Sequence, residues 1–174
     1  MKVRLFVAVL PPPPVIESLQ ALARPDLDQV RWTTPAQWHV TVRFLGEVGD
    51  PSEVIEAVTG AVGSVGATAV EARLGPATAW FPGHRVLQVP VAGLDDIAAR
   101  VRAATSRWGA PDERPYSGHL TLGRTRGREA PPRGLDGAPV STGFAVHGVV
   151  VMESALDPAG ARYRVVAALP FGGS

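Results

Sequence analysis

The chain has 174 residues, a formal net charge of +1 and no cysteine. That length suits about one domain and buries a core without staples; near-neutral charge gives no general attraction to nucleic acid, so any anion must be held by a local cluster. The missing cysteine excludes disulfides, thiolate metal sites and a cysteine nucleophile.

Val3 to Val9 reads as a strand that the prolines Pro11 to Pro14 stop. Lys2 and Arg4 ahead of Leu5 to Leu10 resemble a signal peptide only briefly, because the apolar stretch is too short and no small-residue cleavage site follows. No apolar run approaches the ~20 residues that span a bilayer, so the expectation is a cytoplasmic protein without a membrane partner. Proline is tolerated in a first helical turn, where its missing N–H costs nothing, and Val15, Leu19 and Leu22 then follow at helical spacing. Val30 to Thr33 is a short extended piece and Trp38 to Leu45 a strand; Ser52 to Val62 reads as a helix. Ala67 to Leu74 and Arg85 to Val91 read as strands around a Gly/Pro/Trp/Phe loop. Leu94 to Trp108 is the clearest helix, with Leu94, Ile97, Val101 and Ala104 on one stripe. Gly118 to Arg124 is another strand, and Thr125 to Pro139 a connection rich in Gly, Pro and Arg. Phe144 to Ala155 and Tyr163 to Leu169 close the chain as two strands, with Asp157-Pro158-Ala159-Gly160 as turn chemistry between them.

Within this order a tetrapeptide pattern occurs twice, as His39-Val40-Thr41-Val42 and His119-Leu120-Thr121-Leu122. Side chains alternate across a strand, so in each copy His and Thr share one face and the apolar pair takes the other. Each copy ends a similar strand–helix–strand run, giving an internal repeat over about residues 3–46 and 84–125 of a single domain, 1–174. Two such units suggest pseudo-twofold lobes whose motif strands face each other.

A lone strand histidine is more often a solvated polar group than a catalyst. Repetition with the same threonine offset weakens that reading. An imidazole with a pKa near ~6.5 is half-titrated close to neutrality. One neutral histidine can take a proton from an attacking water while a protonated partner gives one to a leaving alkoxide. The threonine hydroxyls can donate to non-bridging phosphate oxygens. Which histidine donates stays open at this point, because the two motifs are symmetric. Zinc would call for a third or fourth ligand, and neither motif carries a same-face Asp or Glu, Glu47 lying beyond the strand end; no metal or other cofactor is expected. Ser117 lacks the Gly-x-Ser-x-Gly context of a serine nucleophile.

Arg124, at the end of the second motif strand, is a candidate phosphate contact. Strict alternation places Arg43 on the face of His39 and Thr41. Arg126, Arg128 and Arg133 read as solvated loop residues, and His84 and His147 lack a threonine partner and take no role. Trp32, Trp38, Trp80 and Tyr116 are the candidates for stacking a base.

Taken with Arg4-Leu5-Phe6-Val7-Ala8, Trp38 to Gly46, Arg114 to Arg124 and Met152-Glu153-Ser154, the two motifs make the chain resemble the 2H phosphoesterases. The likeness is to the RNA 2',3'-cyclic phosphodiesterase branch, also called 2'-5' RNA ligase-like. That resemblance implies a bilobal α+β fold, with two pseudo-symmetric antiparallel sheets forming a central cleft and helices outside. It implies metal-independent opening of RNA 2',3'-cyclic phosphate ends to 2'-phosphates, with weak 2'-5' ligation as the reverse. His39 would then be the proton donor, His119 the acceptor, Thr41 and Thr121 the phosphate holders, and Arg124 a substrate contact; on the residue reading Arg43 and Tyr116 join it as substrate-binding candidates. Gly118 departs from the family, where a proline often precedes the second histidine. The alternatives are a cyclic phosphodiesterase for a small nucleotide, such as ADP-ribose cyclic phosphate, and a module that holds RNA ends without turnover. A monomer is the default for two lobes closing on one cleft.

Overall fold

The computed structural model describes residues 2–172 other than 84, 112–113, 128–129 and 159. His84, Arg128 and Ala159 of the expected turn therefore lie outside the described residues. Described strands are β1 (Val3–Val9), β2 (Val30–Trp32), β3 (Val40–Val48), β4 (Val70–Leu74), β5 (Ala79–Trp80), β6 (Val86–Ala92), β7 (His119–Thr125), β8 (Thr142–Val146), β9 (Gly148–Asp157) and β10 (Gly160–Pro170). The helices are α1 (Pro13–Gln20), α2 (Pro51–Gly63) and α3 (Asp95–Ala104).

Each helix is set by local chemistry. Pro12 caps α1 in an extended conformation, and Val15 and Leu19 are buried one turn apart. Asp50 accepts from the Ser52 N–H at the start of α2, and Val54, Val58 and Val62 form its buried stripe. Asp95 and Asp96 in the first turn and Arg102 in the last suit the dipole of α3. That helix stops at Ala104, short of the expected Trp108. There the Thr105 hydroxyl donates to the Val101 carbonyl, and Gly109, at φ +76°, lets the chain turn away.

The two expected sheets are one. Strands run β10-β9-β1-β3-β7-β6-β4-β8, with β2 paired to β7 and β5 to β6, every pairing antiparallel. The order mirrors itself about the junction of β3 and β7, where Val40 pairs with Leu120. The expected strand Phe144 to Ala155 is likewise two strands. It breaks at His147, because β8 pairs with β4 at one end of the order while β9 pairs with β1 and β10 near the other. A single residue cannot span a flat sheet of that width. The sheet is therefore curled into a half-barrel.

The helices pack on one face. Leu5, Val7 and Val9 of β1 join their core, whereas Phe6 and Ala8 point the other way and cluster with Met152, Val150 and Tyr163. That opposite face, free of helices, carries the candidate site.

Candidate active site

His39 and His119 stand on either side of the Val40–Leu120 pair. The two motifs therefore meet at this junction, and the charge of His119 reaches His39.

Both rings are held the same way. Nδ1 of His39 lies 2.8 Å from the Gln37 carbonyl oxygen, and Nδ1 of His119 lies 2.9 Å from that of Ser117. A carbonyl only accepts, so each Nδ1 carries the hydrogen, and each Nε2 is left as the reactive nitrogen. Aromatic rings wedge them further. Phe6 and Tyr163 each lie 4.9 Å from His39, Tyr163 edge-on, and Phe81 meets His119 edge-on at 4.4 Å.

Desolvation by burial lowers the pKa of both histidines below the ordinary value of 6.5, against a partial opposing effect of the Nδ1 hydrogen bonds. The charge of Arg124 pushes both down, and that of His119 pushes His39 down as well. The charge of His119 thus opposes protonation of His39. A stability consequence follows. The unfolded chain takes up these protons first, so the stability present above pH ~6.5 is lost as pH falls through the lowered folded values. Between about pH 7.5 and about pH 5, the wild type is expected to lose more melting temperature than a His39→Gln/His119→Gln variant. Equal losses in a thermal melt would contradict the burial of the pair.

Strict alternation fails directly after each motif, and in the same way. Val7 pairs with Arg43 and Ala8 with Thr41, leaving Val42 as a bulge in β3. Leu87 pairs with Gly123 and Gln88 with Thr121, leaving Leu122 as a bulge in β7. Each extra residue shifts the alternation by one. Arg43 consequently pairs with core-facing Val7, while it still borders the hollow shared by Thr41, Tyr116 and His119. It is 6% exposed, and its Nη2 donates to the carbonyls of Trp108 and Ala110 beyond α3. Phe44 takes its place on the open face, 5.7 Å from Phe6 and largely exposed. In β7 the same shift brings exposed Arg124 round to the histidines, close enough to lower both.

Tyr116 is placed at the site but its hydroxyl is spent, donating to the Thr41 carbonyl at 3.0 Å. Burial, and secondarily Asp95, raises its pKa, so it stays a donor and ties the segment before β7 to β3. Gly118 has a local cause: a Cβ there would lie 2.4 Å from the Val91 carbonyl oxygen. Of the tryptophans, Trp38 is core and donates to the Thr33 hydroxyl, Trp80 is half-buried on β5, and Trp32 is half-exposed on β2. Arg126 and Arg133 are exposed, as is His147. Among the described residues no group of three or more His, Cys, Asp or Glu gathers to hold a metal, and no helix is long and apolar enough to cross a membrane.

Several contributors carry no sequence signal. Phe6, Tyr163 and Phe81 come from strands and loops far along the chain. Thr33 supports the second motif from before the first: its N–H donates to the Leu122 carbonyl at 2.9 Å, and its hydroxyl lies 2.8 Å from the Thr121 carbonyl oxygen. Two hollows flank the centre. One, of about 350 Å³, includes Thr41, Phe44, Tyr116 and His119; the other, of about 390 Å³, includes Arg31, Trp32 and Tyr163.

Known structures share this fold. A family model described as LigT like phosphoesterase matches residues 9–80. No curated protein sequence matches the chain. Among solved structures, TT0787 of Thermus thermophilus is 25% identical at TM-score 0.81, covering 98% of each chain. Escherichia coli LigT complexed with 3'-AMP is 23% identical at 0.77, over 98% of this chain and 99% of that one. The same E. coli protein complexed with NADP+ is 25% identical at 0.73, over 97% and 98%. With its fold matched end to end by these proteins and its first motif inside the matching family model, the chain is similar to the LigT-like phosphoesterases.

Proposed function

We propose that this protein, acting as one domain over residues 1–174, opens RNA 2',3'-cyclic phosphate ends to 2'-phosphates without a metal. The observation that carries the reading is the matched pair of imidazoles, each locked through Nδ1 to a carbonyl and coupled to the other by charge. A binder would have no use for two imidazoles held in the same tautomer. The complexes of E. coli LigT with 3'-AMP and NADP+ support a nucleotide-type ligand.

In this reading neutral His119 accepts a proton at Nε2 from a water whose oxygen attacks phosphorus. The bond from phosphorus to the 3'-oxygen breaks, and His39, protonated at Nε2, gives its proton to that oxygen. The product is a 2'-phosphate with a free 3'-hydroxyl. Thr41 and Thr121 donate to the non-bridging oxygens, where charge builds up, and Arg124 supplies positive charge nearby. Donor and acceptor are assigned here by family likeness. With a 5'-hydroxyl in place of water the same step makes a 2'-5' phosphodiester: that oxygen attacks phosphorus and yields its proton to His119, the bond to the 3'-oxygen breaks, and His39 protonates the 3'-oxygen.

The test is an oligoribonucleotide ending in a 2',3'-cyclic phosphate, incubated with the protein in EDTA, with the product phosphate located afterwards. A 2'-phosphate is the expected product. A 3'-phosphate or no turnover overturns the reading, and turnover of ADP-ribose cyclic phosphate alone would move it to small nucleotides.

A further inference from the structure

Arg31 and Arg124 are direct partners across the β2–β7 pairing. Like charges opposite one another on adjacent strands are destabilising, and natural sheets usually neutralise them. The neighbouring hairpin does so: Arg162 pairs with Asp157 and Arg164 with Glu153. Among the described residues, Arg31 and Arg124 have no carboxylate partner and no side-chain hydrogen bond. Both line one small hollow with Gln37 and Tyr163, and Tyr163 is the ring against His39. The hollow continues into the larger one that Arg31 and Trp32 help to line. Gly160 makes room there, since a Cβ on it would lie 2.7 Å from the Arg31 guanidinium. An anion between the two guanidiniums turns their repulsion into attraction, and forked N–H donors suit phosphate.

We propose that Arg31 and Arg124 form a second phosphate subsite that holds the phosphodiester joining the terminal nucleotide to its neighbour. The proposal rests on the cyclic-end reading for what occupies the centre between the histidines. It names the substrate class as an RNA chain end rather than a mononucleotide. A free nucleoside cyclic phosphate has no phosphodiester to place there.

Binding decides it without relying on turnover. Wild type and Arg31→Gln are titrated calorimetrically with adenosine 2'-phosphate and with adenylyl-(3'→5')-adenosine 2'-phosphate. The expected result is a preference of roughly tenfold for the dinucleotide in the wild type, collapsing towards parity in Arg31→Gln. The salt dependence of dinucleotide binding should fall by about 0.7 of a log–log unit in the variant, as for one single-strand phosphate released. Because the readout is a ratio within one protein, a partly folded variant does not distort it. A wild type without preference, or a preference unchanged in Arg31→Gln, overturns the subsite. Turnover of the matching cyclic-ended compounds is measured alongside. Its absence sinks the cyclic-end reading, whereas the binding ratios still decide the subsite.

Discussion

Replacing either imidazole, as His39→Ala or His119→Ala, is expected to lower turnover of a cyclic phosphate end by about 10²- to 10⁴-fold, the usual worth of a general acid or base. The fold should survive. Strand pairing on both sides of each histidine is made by backbone groups and by buried Val40 and Leu120, not by the rings. Circular dichroism would confirm this while kcat is measured. A loss of only a few-fold in either variant would contradict the acid–base roles. The wild-type profile of kcat/KM against pH should be a bell, because only the singly protonated pair is productive. Both imidazoles lie below the ordinary value through burial and the charge of Arg124, so the maximum belongs on the acid side of pH ~6.5. Arg124→Gln removes a cation that opposes protonation, and both limbs should then move to higher pH. Limbs that stay in place would separate Arg124 from the pair.

Thr41→Val and Thr121→Val remove a hydroxyl while keeping the shape of the side chain, and each is expected to cost about 10²- to 10³-fold in kcat, as for loss of one pre-aimed donor to developing charge. The loss should appear in single-turnover rates more than in affinity for a 2'-phosphate product, since the oxygens gain charge on the way to the transition state. Both hydroxyls are half-exposed on the open face, so melting temperature should change little. Substitutions that weaken binding and leave single-turnover chemistry intact would reassign the threonines to ground-state holding.

The centre of the site was legible from the chain because it depends on the shortest-range rule in a strand. His and Thr two residues apart share a face whatever the partner strand is. The residues just beyond were not legible, since a bulge depends on how many residues the neighbouring strand offers. Val42 and Leu122 look like ordinary alternating positions. Opposite β1 and β6 they are extra residues, which send Arg43 to the helix side and bring Phe44 and Arg124 to the open face. The same limit hid the break at His147, where nothing local marks a change of partner from β4 to β1.

Periodicity and two repeated motifs were enough to outline the elements and name the four residues of the proposed chemistry, because each follows from backbone period and side-chain type; the α+β class was what the family resemblance implied. Long-range pairing set the rest: one curled sheet in place of two, aromatic walls drawn from β1 and β10, and Thr33 beneath the second motif. It also set Arg31 opposite Arg124, a contact between residues 93 positions apart by their numbers that no local pattern encodes.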